Sequence, residues 1–175
     1  MDILACPSLR ESLFRLLCIK TGEKQNQRQL AKRLKVSPTA VGTIVKRLKK
    51  EGIVATERLG TMNLTLVELS RDPITTARKR CENLRMLSDA GLATHLQETY
   101  PGTTIVLFGS YARGEDTVRS DIDIAIIGAK KQIDTTVFEK LLERRVQIHL
   151  FADLKEIESH LRTNLYNGIV LHGAF

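Results

Sequence analysis

The first 70 residues carry apolar side chains at helical spacing and then two short apolar stretches. This pattern predicts helices over residues 8–21, 27–34 and 38–51 and strands over 53–58 and 64–69, with a loop at 22–26 and a turn at 59–63. The third helix has the clearest start, because Ser37 is a hydroxyl N-cap and Pro38 suits the first helical position. Gly52 stands where this helix should end. The segment is therefore expected to fold as three helices and a β-hairpin.

A different pattern begins after residue 72. Two helices are predicted first, from Pro73 to about residue 87 and from about residue 89 to residue 100, and Pro101-Gly102 then breaks the chain. Beyond this break, the predicted elements are strands over 103–108, 122–127 and 146–151 and helices over 135–144 and 153–165. Short strands alternating with helices predict an α/β or α+β domain. The expected fold class is therefore α+β (α/β), with a mixed sheet and flanking helices in the second half.

The positive charge is confined to the first part of the chain. Residues 1–72 contain 14 Lys and Arg against 7 Asp and Glu, whereas residues 73–175 contain 13 of each, so the whole net charge of +7 lies before residue 73. The segment 31–50 alone has seven basic residues and no acidic one. Such asymmetry indicates two modules, the first of which faces a polyanion.

Residues 29–54 resemble the winged helix-turn-helix transcription regulators, which have this order of three helices and a hairpin. The resemblance implies that the helix over 38–51 enters the major groove of double-stranded DNA and that the protein binds DNA as a homodimer. The residues expected at base edges are Thr39, Ala40, Gly42 and Thr43, those expected at phosphates are Lys46, Arg47 and Lys50, and Arg58 near the hairpin tip is expected at the backbone or the adjacent minor groove. The alternative is a solvated basic face on a dimerisation or protein-binding module.

The second half contains one constellation that suits phosphate chemistry. An apolar strand over 105–108 runs into Gly109-Ser110, where backbone amides and a hydroxyl can approach an anion closely. Asp121 and Asp123 follow, and residues two apart on a strand project from one face, here opposite the apolar face of Ile122, Ile124 and Ile126. Neighbouring carboxylates of this kind suit Mg²⁺ or Mn²⁺ bridging to phosphates. The arrangement therefore predicts phosphoryl chemistry by positioning and charge neutralisation.

Residues 109–114, Gly-Ser-Tyr-Ala-Arg-Gly, followed by Ser-Asp-Ile-Asp at 120–123, resemble the signature of minimal nucleotidyltransferases of the polymerase-beta superfamily. The resemblance covers about residues 90–175 and implies transfer of a nucleoside monophosphate from an NTP, with ATP favoured, to an acceptor hydroxyl. By position it assigns phosphate binding to Gly109 and Ser110, and catalytic metal binding to Asp121 and Asp123. Arg113 either neutralises phosphate charge or anchors the loop. The predicted division is a winged-helix domain over 1–72, connecting helices over 73–100 and a nucleotidyltransferase-like domain over 101–175.

Members of that family usually carry a third carboxylate on the next strand, and this chain lacks it there. Along residues 145–151 the polar positions are Gln147 and His149, while Glu143 belongs to the preceding helix and is expected to be solvated. An amide cannot replace the charge of a carboxylate, and imidazole is a poor ligand for Mg²⁺ although it binds other metals. His149 is therefore a candidate metal ligand, and two functions stay open: transfer to a hydroxyl of a protein or small molecule, and a regulator whose transferase-like domain senses nucleotide or metal.

The remaining features point to a protein of the cytoplasm. No apolar run approaches the 18 or so residues that cross a bilayer, and the N-terminal residues lack the basic and apolar regions of a signal peptide. Cys6, Cys18 and Cys81 are odd in number and far apart, so free thiols are expected rather than a disulfide or a metal site. The basic residues at 78–80 and 85, interspersed with Glu82 and Asp89, are expected on a solvated helix face or an oligomer contact.

Overall fold

The computed structural model describes residues 7–59 and 64–175, so most of the predicted turn at 59–63 and Cys6 lie outside the described residues. The chain divides into two compact units between Thr75 and Thr76. Each unit is described by itself below.

The first unit contains the predicted helices and hairpin. Its elements are α1 (Leu9–Ile19), β1 (Gln25–Asn26), α2 (Gln27–Leu34), α3 (Pro38–Lys50), β2 (Val54–Leu59) and β3 (Leu64–Leu69). The strands form an antiparallel sheet in the order β1-β3-β2. The loop predicted at 22–26 is wrong at its end, because Gln25 and Asn26 pair with Val67 and Leu66 of β3.

Polar side chains set the start of each helix in this unit. Ser8 accepts a hydrogen bond from the amide of Glu11, whose carboxylate accepts one from the Ser8 amide in return. Asn26 makes the same reciprocal arrangement with Gln29 at α2, and the Ser37 hydroxyl accepts from the amide of Ala40 at α3 (3.2 Å). Each cap satisfies amides that the first helical turn leaves without partners.

The apolar faces of the three helices meet the hairpin in one core. The side chains of this core are less than 3% exposed and include Leu13, Leu17, Leu30, Val41, Val45, Leu48 and Val67. Because α3 turns Val41, Val45 and Leu48 inward, its basic residues are left on the outer surface.

The second unit is built on a mixed four-stranded sheet. Its elements are α4 (Pro73–Asp89, which begins before the division), α5 (Leu92–Thr99), β4 (Thr104–Phe108), α6 (Gly109–Arg113), β5 (Ile122–Ile127), α7 (Thr136–Leu142), β6 (Val146–Phe151), a 3₁₀ turn (Leu154–Glu156), α8 (Ser159–Tyr166) and β7 (Ile169–His172). The strand order is β6-β5-β4-β7, with β5 and β6 parallel and the other pairs antiparallel. Residues 76–100, predicted as connecting helices, fall within this unit.

The prediction for this unit missed or merged several short elements. α6 and β7 were not predicted, and the single helix expected over 153–165 is a 3₁₀ turn and α8 separated by Ile157. Ile157 has an extended conformation and packs with Val106, Ala125 and Leu165. Burial of this side chain in the sheet core explains why the helix does not continue through it.

The sequence prediction also treated one face of β5 as polar, and this is wrong for most of the strand. Ala125 and Ile127 project on the same face as Asp123, and both belong to the buried core that includes Val106, Phe108 and Leu165. Ile122, Ile124 and Ile126 on the other face are also buried. Only the start of β5 is therefore open to a ligand.

Candidate functional site

The turn between β4 and α6 brings backbone against a carboxylate. Gly109 follows the last residue of β4 and has φ +73°. A Cβ at this position would lie 2.6 Å from Oδ2 of Asp123, closer than any ordinary contact. The left-handed conformation favours glycine at 109, and the Asp123 carboxylate occupies the space that a Cβ would need. Ser110 is the next residue and is partly exposed, so its hydroxyl can reach a ligand at the same turn.

Asp123 is held between two strands. It lies opposite Phe108 on β4 and opposite Gln147 on β6. Its Oδ1 atom is 3.4 Å from Nε2 of His149, and the two side chains are 26% and 28% exposed. The His149 ring lies edge-on to the Phe108 ring, with 5.2 Å between ring centroids. The structure therefore brings together Gly109, Asp123 and His149, three residues singled out from the sequence.

Asp121 has different surroundings. It precedes the first residue of β5 and lines an open groove of about 550 Å³. The groove is lined by residues 118–121 and by Thr136, Glu139, Lys140 and residues 143–145. The groove contains both acidic and basic side chains. One of the acids, Glu139, already accepts a hydrogen bond at its Oε1 from the amide of Val146 (2.9 Å). Asp121 thus borders space on the α7 side, whereas Asp123 faces Gly109 and His149.

The acidic side chains of this site suit a cation that also binds substrate phosphates and water, rather than a cation that protein ligands alone enclose. Within residues 7–59 and 64–175, no group of three or more His, Cys, Asp and Glu side chains is arranged to hold a metal ion. Mg²⁺ is commonly held by one or two carboxylates together with substrate phosphates and water. The partly exposed oxygens of Asp121 and Asp123 fit that mode, because each leaves room for outside ligands.

Arg113 and Gln147 occupy exposed positions. Arg113 Nε donates to Glu115 at 2.7 Å, with the two side chains 47% and 56% exposed. This pair joins residues of the motif loop to each other, and a solvated pair of this kind contributes little stability. The phosphate role of Arg113 stays a prediction, and Gln147 is exposed beside Asp123 in the parallel register.

A buried polar network holds the motif segment against α4, and the sequence analysis did not predict it. Lys79 on α4 is 1% exposed and donates from Nζ to Oδ1 of Asp116 at 2.5 Å. Asn83, one turn further along α4, donates to Oδ1 of Asp116 at 2.8 Å and to the carbonyl oxygen of Tyr111 at 2.9 Å. These bonds attach the segment between Gly109 and Asp121 to α4. The solvated face predicted for residues 78–80 is thus wrong at Lys79.

Two further contacts tighten this attachment. Arg144 is 7% exposed, and its Nη2 lies 3.6 Å from Oδ2 of Asp116. A Cβ at Gly114 would lie 2.5 Å from the carbonyl oxygen of Thr76 and 2.8 Å from the amide of Arg80, so α4 packs directly on the loop backbone. The sequence does contain a signal for this burial. Helix positions four residues apart share a face, and counting back by fours from apolar Leu87 gives Asn83, Lys79 and Thr75, all of which are buried.

Six of the eight residues that are predicted to contact DNA lie exposed on the surface of the first unit. They are Thr39, Thr43, Lys46, Arg47 and Lys50 on α3 and Arg58 on β2. The hydroxyl of Thr43 donates to the carbonyl oxygen of Thr39 at 3.1 Å, so its proton is engaged and its oxygen can accept a hydrogen bond only from a donor group of a base. Ala40 and Gly42 are half-buried. The exposed cations of α3 form a surface that suits phosphates.

Comparison with known families gives two matches in the same order as the two units. Residues 10–59 match the MarR family, and residues 90–171 match the family described as nucleotidyltransferase domain. No curated protein matches the chain. Among solved structures, the crystal structure of the PcaV transcriptional regulator from Streptomyces coelicolor in complex with its natural ligand is similar at 15% identity and a TM-score of 0.34, covering 55% of this chain and 76% of that one.

None of the helices in residues 7–59 and 64–175 is both long enough and apolar enough to span a bilayer.

Proposed function

The chain joins a MarR-family segment to a nucleotidyltransferase domain, and from that premise we propose that it is a DNA-binding regulator whose second unit binds an NTP with Mg²⁺ or Mn²⁺ and transfers its nucleoside monophosphate. The approach of Gly109 to Asp123 carries this proposal, because a Cβ at 109 would lie 2.6 Å from the carboxylate. A glycine turn that touches a carboxylate places phosphate and cation ligands in one small volume.

In the proposed reaction, the turn at Gly109 and Ser110 binds the phosphates through backbone amides and the serine hydroxyl. A divalent cation supplies charge neutralisation for the phosphates when it is bound. Asp121 and Asp123 hold that cation. The acceptor hydroxyl oxygen bonds to the α-phosphorus and the bond from that phosphorus to the bridging oxygen breaks. Pyrophosphate leaves and the hydroxyl proton passes to solvent.

The groove beside Asp121 is the proposed approach for the acceptor. It is about 550 Å³ in volume and is lined by Asp121, which lies two residues before Asp123. Exposed Lys140 and Arg145 line it. A protein or small-molecule hydroxyl that enters along this groove would meet the α-phosphorus without displacing the phosphates from the glycine turn.

Labelling of an acceptor tests the transfer. The chain is incubated with each of the four α-labelled NTPs and Mg²⁺ or Mn²⁺, alone and with an extract that contains candidate acceptors. Transfer of label to protein or to a small molecule is expected, with ATP the favoured donor. Label should be lost in the Asp121→Ala/Asp123→Ala double variant and kept in Asp89→Asn, which removes an exposed carboxylate elsewhere in the unit. Labelling that persists in the double variant contradicts the proposed site.

A second function is favoured by one specific observation, the presence of Gln147 and His149 on β6 where relatives usually carry an acid. In this alternative the second unit senses nucleotide or metal without efficient turnover, and binding there alters DNA binding. Binding of the chain to its own promoter, with and without a non-hydrolysable NTP, distinguishes the two. A change in DNA affinity without any transferred label favours sensing.

DNA binding itself is proposed to use α3 and the hairpin, in a homodimer. The logarithm of the association constant should fall with the logarithm of salt concentration by about 0.9 for each phosphate contact. Alanine at Lys46, Arg47 and Lys50 removes three phosphate contacts from each protomer, so it should weaken binding and flatten the slope of the dimer by roughly 5. Alanine at the exposed Lys130 and Lys131 of the second unit removes similar charge and should leave the slope unchanged. Absence of DNA binding even at low salt would remove this part of the proposal.

A further inference from the structure

The imidazole of His149 lies next to the carboxylate of Asp123. The separation of Nε2 from Oδ1 is 3.4 Å. Hydrogen bonds from nitrogen to oxygen usually span about 2.7–3.2 Å, so this contact is a long one. Two donor atoms that bind one ion tetrahedrally at about 2.0–2.1 Å lie roughly 3.4 Å apart. The side chains are thus spaced as neighbouring ligands of one small cation.

The environment of His149 differs from that of other histidines with an acidic neighbour. His160 also lies 3.4 Å from a carboxylate, that of Glu158, but these side chains are 77% and 79% exposed. His149 and Asp123 are only 28% and 26% exposed, and the His149 ring packs against buried Phe108. Packing therefore fixes the direction of the His149 ring, whereas the His160 pair stands in solvent.

We propose that Asp123 and His149 form a mixed oxygen and nitrogen site that selects a transition-metal ion, of the class of Co²⁺ or Zn²⁺, over Mg²⁺. The inference rests on the proposed function, in which Asp123 holds the cation that accompanies the NTP. Imidazole suits transition metals and binds Mg²⁺ poorly, whereas carboxylates suit both. Among the described residues no group of three or more His, Cys, Asp and Glu side chains encloses an ion, so water and phosphate oxygens complete the coordination.

Selectivity in this site depends on which side chain stands at 149. With His149, the ion gains a nitrogen ligand that favours Co²⁺. With a carboxylate at the same position, the site becomes all-oxygen and more negative, which favours Mg²⁺. The His149→Asp variant should therefore weaken the preference for Co²⁺ while it keeps binding a divalent ion, an outcome that a purely structural role for His149 does not produce.

Titration calorimetry of the full chain with Co²⁺ and with Mg²⁺, each with and without a non-hydrolysable NTP, tests the proposal. Visible absorption of bound Co²⁺ gives a second readout, because a nitrogen ligand and low coordination number change its intensity and position. The ratio of Co²⁺ to Mg²⁺ affinity should fall at least about tenfold in His149→Ala and further in His149→Asp. His160→Ala should leave both the ratio and the spectrum unchanged.

The possible outcomes distinguish failure of this inference from failure of the proposed function. An unchanged ratio in both His149 variants, or an equal loss in His160→Ala, overturns the inference while NTP and metal binding stand. Equal affinity of the unaltered chain for Mg²⁺ and Co²⁺ does the same. Failure to bind either ion with or without the nucleotide overturns both. Melting temperatures of the variants show whether a loss of ion binding reflects unfolding. If it does, the Co²⁺ spectrum and the Co²⁺ to Mg²⁺ affinity ratio of His149→Asp are measured at a temperature where that variant is folded, and those values test the inference.

Discussion

Replacing Gly109 with alanine should damage the cation site more than the fold. Gly109 has φ +73°, and an added Cβ would lie 2.6 Å from Oδ2 of Asp123. Left-handed backbone costs a residue with a Cβ about 1–2 kcal/mol, which lowers the melting temperature of a unit of this size by roughly 4–16 °C. The overlap with Asp123 adds little to this cost, because the carboxylate can rotate away. That rotation, however, removes it from the glycine turn and from the ligands held there.

Gly91→Ala is the matched control for this substitution. Gly91 belongs to the same unit and has φ +75°, but nothing lies within 4 Å of a Cβ built on it. The two variants should therefore have similarly lowered melting temperatures by calorimetry. Only Gly109→Ala should lose affinity for Mn²⁺ in the presence of a non-hydrolysable NTP, by at least about tenfold, which corresponds to about 1.4 kcal/mol.

Two results would refute this reasoning. If Gly109→Ala binds Mn²⁺ with unaltered affinity, the position of Asp123 against the turn is irrelevant to the cation. If Gly91→Ala loses the same affinity, the effect comes from backbone strain spread through the unit and not from the contact with Asp123.

Three further predictions concern stability. Lys79→Met leaves buried Asp116 without its ammonium partner and should cost about 3–5 kcal/mol in urea unfolding, whereas exposed Arg80→Ala on the same helix should change it by less than about 0.5 kcal/mol. Leu48→Ala opens a cavity in the core of the first unit, where Leu48 is 1% exposed, and should cost about 2–5 kcal/mol. Hydrogen bonds from the side chain and amide of Thr75 lower the pKa of Asp72 below 3.8, so its carboxylate stabilises the fold above that pH and loses this effect as the pH falls through the lowered value. The urea midpoints of Asp72→Ala and the unaltered chain should differ at pH 7 and converge in acid; a constant gap would contradict this.

The long elements were predictable because their signals are local. The α3 boundary follows from Ser37 and Pro38, and the alternation of isoleucines predicts β5 at residues 122–127, where it lies. The order of three helices and a hairpin, followed by a unit with a mixed sheet, is confirmed. The convergence of Gly109 with Asp123 is observed as well, because the strands that carry the motif pair side by side.

The missed features depend on partners distant in sequence. β1 has two residues and exists only because β3 pairs with it, and β7 has four and borders β4. Charge alone groups Lys79 with its exposed neighbours Arg78 and Arg80. Asp116, 37 residues away, makes burial of its ammonium group tolerable.

The attachment of α4 determines where a fragment that contains the signature loop must begin if it is to fold. The family match in the second unit begins at residue 90, but Lys79 and Asn83 hold Asp116, and Thr76 and Arg80 contact Gly114. A fragment that begins at residue 90 would keep the signature yet lose the helix on which its loop rests, and would be expected to aggregate or be degraded. A fragment that is meant to fold with its signature loop in place should therefore include α4 and begin at Pro73.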